Sequence, residues 1–487
     1  MQRRSLILIS SLSTPVAAAT ATTLVAATLV ANTPRDAIRV STGFVADILC
    51  AQTFVSGLDP AQVLAETTEA MPGVGLIGWA MNIEVDRARR EVRATLLGAG
   101  ESRAVYHDGL GCMLAHGDEA IDAAPPEAAA AAPALPEIAG PGLVAPADPA
   151  LARALERVFA EPDQPLRRHT RAVVIVKDGR IIAERYAPGI GIDTQLLGYS
   201  ATKSVISALI GVLVRQGRLA VDTPAPVAAW QDPDDPRHAI TIDQLLRHTA
   251  GLDVGSTLFA TLGSAFEKVN RMKFVARDQA GFVETAGLET VPGRAWNYND
   301  ANYLVLSRLI RDAAGGQAAD VLRLARRELF GPLGMRGVTL QFDATGTPEG
   351  GSGMLATARD WARFGMLYLD DGAVGGRRIL PEGWVRYSAT PTPGGWVGYG
   401  AGWWTNLGDS LGATRRVGFG MPRDAIHARG QFGQYMVVVP SERLVIARFG
   451  VTGGDNDIEG VSRLTADVIA ATKVGSANAG SATLVAK

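Results

Sequence analysis

A chain of 487 residues, 47% hydrophobic and 20% charged, can fill the core of two or three domains, which excludes intrinsic disorder as its class. The formal net charge is -2, with both signs mixed along the chain. That balance argues against a nucleic-acid or polyanionic partner and for a small or neutral substrate.

Arg3 and Arg4 precede an uncharged, mostly apolar stretch from Ser5 to Ala31, in which Ala17 and Ala19 have the spacing of an A-x-A cleavage site. Residues 1–31 are therefore expected to be a signal peptide or, since the stretch has the length to span a bilayer, a membrane anchor through residues 5–31. Either reading sends the body of the protein out of the cytoplasm, to a periplasmic or extracellular location. Only two cysteines occur, Cys50 and Cys112. In an exported chain an even count predicts a disulfide, with two buried thiols as the alternative. Asp47, Ile48 and Leu49 before Cys50 are not a lipidation signal.

Residues 42–117 pattern as a small N-terminal domain, with a helix over 58–70 and strands at Trp79 to Val85, Glu91 to Leu97 and Arg103 to His107. Within it Gly73-Val74-Gly75-Leu76-Ile77-Gly78 formally matches a dinucleotide fingerprint. It follows Pro72 and precedes a strand-like run, so it is expected to be a loop. Residues 122–149, almost entirely Ala, Pro, Gly and acidic residues, read as a linker.

A larger domain over 150–472 opens with a helix near Pro149 to Phe159. Two strands, Arg171 to Val176 and Arg180 to Arg185, flank an Asp178-Gly179 hairpin turn. The pattern recurs at Tyr435 to Val439 and Leu444 to Phe449, before a last helix from Ile458 to Ala471. A sheet drawn from both ends around a helical middle is α+β rather than alternating βαβ. Residues 473–487, small and polar, are expected to be a disordered tail.

The chemistry centres on Tyr199-Ser200-Ala201-Thr202-Lys203, which opens the apolar run from Val205 to Val214. A buried helix starting near Ser200 would bring Ser200 and Lys203, three residues apart, onto one face. A serine hydroxyl needs a proton acceptor before it can attack, and a desolvated lysine can serve in place of a histidine. Alone, S-x-x-K is a weak signal, and a helix-capping serine beside a solvated lysine is the plainer reading.

The surrounding motifs change that. Pro292-Gly293 leads into Tyr298-Asn299-Asp300-Ala301-Asn302-Tyr303, and Ala428-Arg429-Gly430 is followed by Gln431-Phe432-Gly433-Gln434. Leu245 to Leu252, Gly353 to Gly365 and Val439-Pro440-Ser441 add further matches. From about Arg171 to Gly450 the chain resembles the serine β-lactamase and penicillin-binding-protein superfamily, in its class C-like branch of esterases, D-amino peptidases and 6-aminohexanoate-oligomer hydrolases.

The resemblance implies a β-lactamase/DD-peptidase-like fold: an antiparallel sheet flanked by terminal helices, with a mainly helical insertion, beside a small N-terminal α/β unit. It also implies acyl transfer through Ser200, with Lys203 and Tyr298 moving protons and the backbone N–H groups of Ser200 and Gln431 forming an oxyanion hole. Whether neutral Lys203 is the base, or charged Lys203 favours the phenolate of Tyr298, stays open at this point. Asp300, Arg429 and Gly430 are expected to contact substrate, Gly430 by leaving room along its strand.

Two departures bear on the substrate. Asp300 stands where the second motif has an amide, and Ala428 where β-lactamases have a lysine. Both count against β-lactam turnover and leave ester or amide chemistry intact, on a small-molecule ester, amide or peptide. Arg429 and His427 are the neighbouring polar groups, and alternation sends adjacent residues to opposite strand faces. Rival readings are a silent protein that holds cell-wall peptide, and a β-lactamase or D-amino peptidase.

No nucleophile elbow of the G-x-S-x-G kind, no metal-ligand cluster and no cofactor motif accompanies these residues. His248 reads as a structural histidine. Asp232-Pro233-Asp234-Asp235 is a solvated turn, and Trp403 and Trp404 read as packing. Nothing in the sequence specifies an oligomeric state.

Overall fold

The computed structural model describes residues 34–117, 132–163, 167–259 and 262–485. The expected signal or anchor, and residues 122–131 of the expected linker, lie outside the described residues.

The N-terminal unit begins with the helix Pro34–Cys50, which the sequence pattern did not indicate and which starts before the expected boundary at residue 42. Pro34 at its start and Asp36 in its first turn suit a helix N-terminus. Val40, Val45, Ile48 and Leu49 are buried, so a helix polar enough to start cleanly still faces a core on most sides. The segment Arg35–Val55 is long and apolar enough to cross a bilayer, yet 61% of its most apolar window is buried within the protein. Asp59 caps the next helix, Pro60–Ala70, by accepting from the N–H groups of Ala61 (2.9 Å) and Gln62 (3.0 Å).

The glycine-rich segment is not the expected loop. It forms the short helix Pro72–Gly78, because Pro72 presets the first turn and the Met71 carbonyl accepts from Val74 N–H and Gly75 N–H. A helix precedes it rather than a strand, so it is no dinucleotide site. Four antiparallel strands follow in simple order, Met81–Asp86, Glu91–Leu96, Ala99–His107 and Gly111–Leu114, the last a strand the sequence pattern missed. Cys50 and Cys112, both fully buried, are joined as a disulfide between the first helix and that last strand.

The main sheet has six antiparallel strands in the order Trp404–Thr405, Ile426–Gly430, Gln434–Val439, Leu444–Phe449, Ala172–Lys177, Arg180–Tyr186. Two neighbouring interior strands, Leu444–Phe449 and Ala172–Lys177, come from opposite ends of the domain, Ala172 pairing with Phe449. The expected hairpin turn is present, with Asp178 at φ 48° and Gly179 at φ 85°. One face of the sheet packs under the terminal helices Pro149–Phe159 and Ile458–Val485, through Leu151, Leu155, Val437, Ile446, Val461 and Leu464. The other face packs on the helices Thr202–Arg215 and Ala358–Met366. A three-stranded sheet, in the order Gln195–Leu197, Met354–Thr357, Val338–Leu340, stands beside the start of Thr202–Arg215.

Two organisational expectations change. The last helix continues through Val485, over most of the segment expected to be a tail, because that stretch is alanine-rich and contains no proline. Residues 132–149 are irregular but docked, with Leu135 and Ile138 buried and their neighbours bonded to the main domain. Arg359 donates to the Gly140 and Gly142 carbonyls, and Arg363 pairs with Glu137 (2.6 Å). An Ala/Pro-rich composition here makes a strap rather than a free tether.

The N-terminal unit is not an appendage either. Leu197, Tyr199, Leu355 and Phe432 of the main domain share one hydrophobic core with Val40, Leu49, Cys50 and Cys112. Arg171, at the start of a central strand, pairs with Glu66 (2.7 Å). The disulfide closes a loop of 62 residues, which corresponds to about 4 kcal/mol on a chain-entropy account. Replacing both cysteines by serine should therefore lower the unfolding free energy by about 2–4 kcal/mol, read from denaturant curves. An unchanged midpoint would show that the bridge adds nothing.

Candidate active site

The helix Thr202–Arg215 is buried along nearly its whole length, so its start is held by packing on all sides. A single 3-10 turn, Tyr199–Ala201, precedes it and presents Ser200 at a partly exposed position. Tyr199 there has φ +46°, a left-handed conformation that costs a non-glycine residue about 1–3 kcal/mol. Packing sustains it: the Tyr199 ring meets Phe432 edge-on at 5.3 Å, and Phe432 is itself at φ +63°.

Lys203 is 1% exposed, and its three ammonium protons have three acceptors: Ser200 Oγ (2.9 Å), Asp300 Oδ1 (2.6 Å) and the Gly351 carbonyl (2.8 Å). Burial pushes the Lys203 ammonium down, but the Asp300 carboxylate and Tyr298 together outweigh it and hold the pKa above that of an ordinary lysine. Burial likewise pushes Asp300 up, while Lys203 and then Lys273 (3.8 Å) pull it below the usual carboxylate range. The pair is therefore charged on both sides at neutral pH. This corrects the expectation that Asp300 contacts substrate, since its carboxylate is buried against Lys203, with Thr257 Oγ1 at 3.4 Å.

Tyr298 is fixed from behind. Its carbonyl accepts from Thr257 N–H (2.9 Å) and Ser256 O–H (3.0 Å), and its ring lies 4.9 Å from Lys203 Nζ. His248, Tyr399 and Trp404 pack around that ring at 4.5, 5.5 and 5.7 Å. His248 is 1% exposed, and its Nδ1 faces Asn299 N–H (3.5 Å) and Asn302 Nδ2 (3.2 Å), so Nδ1 is the acceptor. Burial, helped by the Lys203 charge, pushes its pKa well below the ordinary histidine value. It is a neutral packing residue behind Tyr298, as the sequence suggested. The tryptophans divide: Trp403 sits in the core on Tyr368 (4.1 Å), whereas Trp404 lines the Tyr298 side.

Gly430 ends its strand against the turn Tyr199–Ala201, where a Cβ would lie 2.0 Å from the Gly198 carbonyl oxygen. Glycine is thus required by the approach of two backbones, rather than by a substrate lying along the strand. Gln431 leaves the strand at this same contact, beside the turn that carries Ser200. Ala428 belongs to the core beneath the helix Thr202–Arg215. Arg429 and His427 share the other strand face, both against Trp404 and Tyr435. Arg429 donates to the Asp455 carbonyl (3.1 Å), and His427 is fully buried with its pKa pushed well down by burial. Neither side chain therefore occupies the face of the missing lysine.

Lys273, on the helix Lys268–Val275, and the Gly351 carbonyl join the site without any motif to announce them. Among the described residues no group of three or more His, Cys, Asp or Glu side chains has metal-binding geometry.

The family model described as Beta-lactamase matches residues 155–461, and the chain belongs to this beta-lactamase family. The N-terminal unit lies outside the match. Over 224 residues the chain is 27% identical to a 6-aminohexanoate-dimer hydrolase of Paenarthrobacter ureafaciens, covering 44% of this chain and 56% of that relative. The chain thus spans little more than half the length of this curated relative. Two solved structures share the fold. A penicillin-binding protein homolog from Caulobacter crescentus has a TM-score of 0.51 at 17% identity, covering 69% of this chain and 100% of that one. EstCE1, a hydrolase with promiscuous acyltransferase activity, has 0.52 at 18% identity, covering 67% and 99%.

The Lys203–Asp300 pair sets a stability expectation. Asp300, lowered in the fold, contributes above its unfolded value of about 3.9 and loses that contribution as pH falls through its folded value; Lys203, raised, contributes below about 10.4 and loses it as pH rises further. Between those limits, Asp300→Ala should lower the unfolding free energy by about 3–5 kcal/mol by leaving a buried ammonium unpaired. Denaturant titration of the variant checks this, and a loss below about 1 kcal/mol would mean that the ion pair is solvated.

Proposed function

We propose that this protein is a serine hydrolase that cleaves an ester or amide bond through an acyl-enzyme on Ser200. The observation that carries the reading is the buried ammonium of Lys203, bonded at once to Ser200 Oγ and to Asp300. An ammonium so paired is a poor proton acceptor, which favours Tyr298 as the general base, with the Lys203 cation 4.9 Å from its ring. Ser200 Oγ attacks the carbonyl carbon and its proton passes to Tyr298. The tetrahedral oxyanion is received by the N–H groups of Ser200 and Gln431. Collapse expels the alcohol or amine, which takes the proton from Tyr298, and water then hydrolyses the ester by the reverse path.

The substrate reading follows from what surrounds Tyr298. Ala428 supplies no cation, and Arg429 lies on the opposite strand face, so a carboxylate like that of a β-lactam lacks its usual partner. Leu258, Trp296 and Val397 pack with Tyr298, and next to them Phe259 and Trp396 stack at 6.2 Å while remaining 66% and 47% exposed. Such a rim suits an apolar acyl or leaving group. The curated relative's 6-aminohexanoate dimer makes linear amides a substrate class to test. Export is part of the proposal, supported by the apolar stretch Ser5 to Ala31 and by the disulfide.

Ser200→Ala should abolish labelling by a serine-directed phosphonate. Lys203→Ala and Tyr298→Phe should each lower turnover by roughly 10²- to 10⁴-fold, and less than additively when combined. Among short esters, linear amides, D-amino peptides and a chromogenic β-lactam, esters with apolar groups should be hydrolysed best. Efficient β-lactam turnover without ester activity would reverse this ranking, and a folded Lys203→Ala variant of normal rate would remove the mechanism.

A further inference from the structure

Among the described residues the two most exposed large apolar side chains, Trp79 (82%) and Leu97 (75%), belong to the N-terminal unit, and Leu76 (62%) accompanies them. The backbone brings all three to one end of its four-stranded sheet. Leu76 lies near the end of Pro72–Gly78 and Trp79 follows that helix, while Leu97 N–H donates to the carbonyl of Ala80, the residue after Trp79 (2.9 Å). Leu97 and Gly98 form the turn between Glu91–Leu96 and Ala99–His107, with Leu96 paired to Ala99 and both φ values positive, at 50° and 77°. A two-residue hairpin turn of this kind favours asparagine or aspartate at its first position. Leucine there exposes apolar surface and holds a backbone conformation that its side chain disfavours, so local stability does not account for it.

The same end of the sheet is where the chain enters the unit. Gly100 backs onto Ile38, whose side chain a Cβ at that position would overlap, and Ser102 Oγ stands 2.8 Å from Thr42 Oγ1. The step from Gly100 to Ser102 is about 7 Å along a strand and that from Ile38 to Thr42 about 6 Å along a helix, so the two elements run side by side in one direction. Toward their starts, Leu97 lies about 10 Å before Gly100, whereas Pro34 lies about 6 Å before Ile38. The hairpin tip therefore reaches past the beginning of the helix. Only Asn32 and Thr33 separate Pro34 from the uncharged stretch Ser5 to Ala31, a link of about 10 Å at most. Arg3 and Arg4 stand at the far end of that stretch, the arrangement that keeps its start in the cytoplasm and puts the body of the protein outside.

We propose that Leu76, Trp79 and Leu97 form a membrane-contacting edge: residues 5–31 are retained as an anchor, and this end of the N-terminal unit rests on the lipid bilayer beside it. This rests on the export of the chain argued above and not on the chemistry at Ser200. A tryptophan and a leucine carried on neighbouring turns suit the interfacial layer, where the ring is buried while the indole N–H still meets water or a headgroup. Arg35 at the helix start and Glu101 next to Gly100 are exposed and opposite in sign, so apolar contact rather than charge draws this end to the bilayer. So small a patch binds weakly alone, and the anchor makes its contact an intramolecular one. The disulfide carries the orientation inward, since it ties the helix that leaves the membrane to the last strand of the sheet, and both share a core with Tyr199.

The test uses the full chain, disulfide intact, in phosphatidylcholine vesicles that contain a spin-labelled lipid. Because Cys50 and Cys112 are joined, a cysteine introduced at one position is the free thiol that takes an environment-sensitive dye. Dye on Leu97→Cys or Trp79→Cys should be quenched by the lipid label and shifted to the blue. Dye on Ala88→Cys, exposed on the turn at the opposite end of the same sheet, should show neither effect. Adding Leu97→Asn and Leu76→Ser to Trp79→Cys should remove most of its quenching, whereas Leu97→Asn alone should leave the denaturant midpoint unchanged or higher. A lowered midpoint would make Leu97 a residue of the fold and overturn the proposal. So would unquenched dye at both Leu97 and Trp79, or quenching at Ala88 equal to theirs. Leu97→Cys chains that cross-link to one another without quenching assign the patch to a second copy and overturn it too, as does a mass showing residues 5–31 removed from the exported protein. Should Leu97→Cys not fold, Trp79→Cys against Ala88→Cys decides. Failure of the export reading looks different, since the intact chain would then remain in the cytoplasmic fraction of cells.

Discussion

An ammonium has three protons to donate, and the fold gives the one on Lys203 three oxygens from three separate parts of the chain: Ser200, Asp300 and Gly351. Each acceptor belongs to a different segment, so the helix that carries Lys203, the turn that leads into Ala301–Ala314, and the glycine loop before Met354–Thr357 must all be in register for the charge to be satisfied. A buried cation without those partners would be costly enough to displace the helix or the proton. The rest of the site is arranged around that demand.

It also explains why strain collects nearby. Tyr199, His248 and Phe432 all hold left-handed backbone angles, and all three flank the residues around Ser200 and Tyr298. Each is pinned by a ring packed against another ring, which is how a fold sustains conformations that its local sequence disfavours. The turn that carries Ser200 is therefore held by packing, and much of that packing comes from a unit the family match does not include.

The sequence made the contact of Ser200 with Lys203 legible because S-x-x-K opening an apolar helix fixes two side chains on one face by geometry alone. Both hairpins were legible for a similar reason, since turn chemistry and alternation act over a few residues. What escaped depends on contacts distant in sequence. Asp300 looked like a substrate contact because its partner, Lys203, is 97 positions away. Gly430 looked like a substrate platform because the carbonyl it avoids, that of Gly198, is on another strand connection. The helix Pro34–Cys50 straddles the expected domain boundary at residue 42 and went unread, and Lys273 had no motif to mark it. Residues 132–149 read as a tether since composition cannot show that Leu135 and Ile138 find buried seats.

The pairing of Ala172 with Phe449 has a consequence for how the molecule is made. The strand Ala172–Lys177 leaves the ribosome long before its central neighbour, and until Leu444–Phe449 exists it can pair only with Arg180–Tyr186, its other edge remaining open. The closing contact joins segments far apart in sequence, so the sheet forms late and the loop-closure entropy is met in one step near the end. The helix Thr202–Arg215, which packs on that sheet, reaches its final seat only with it. Until then the open edge of Ala172–Lys177 is a site at which another chain can pair, which makes the interval before Leu444–Phe449 docks the one most exposed to aggregation.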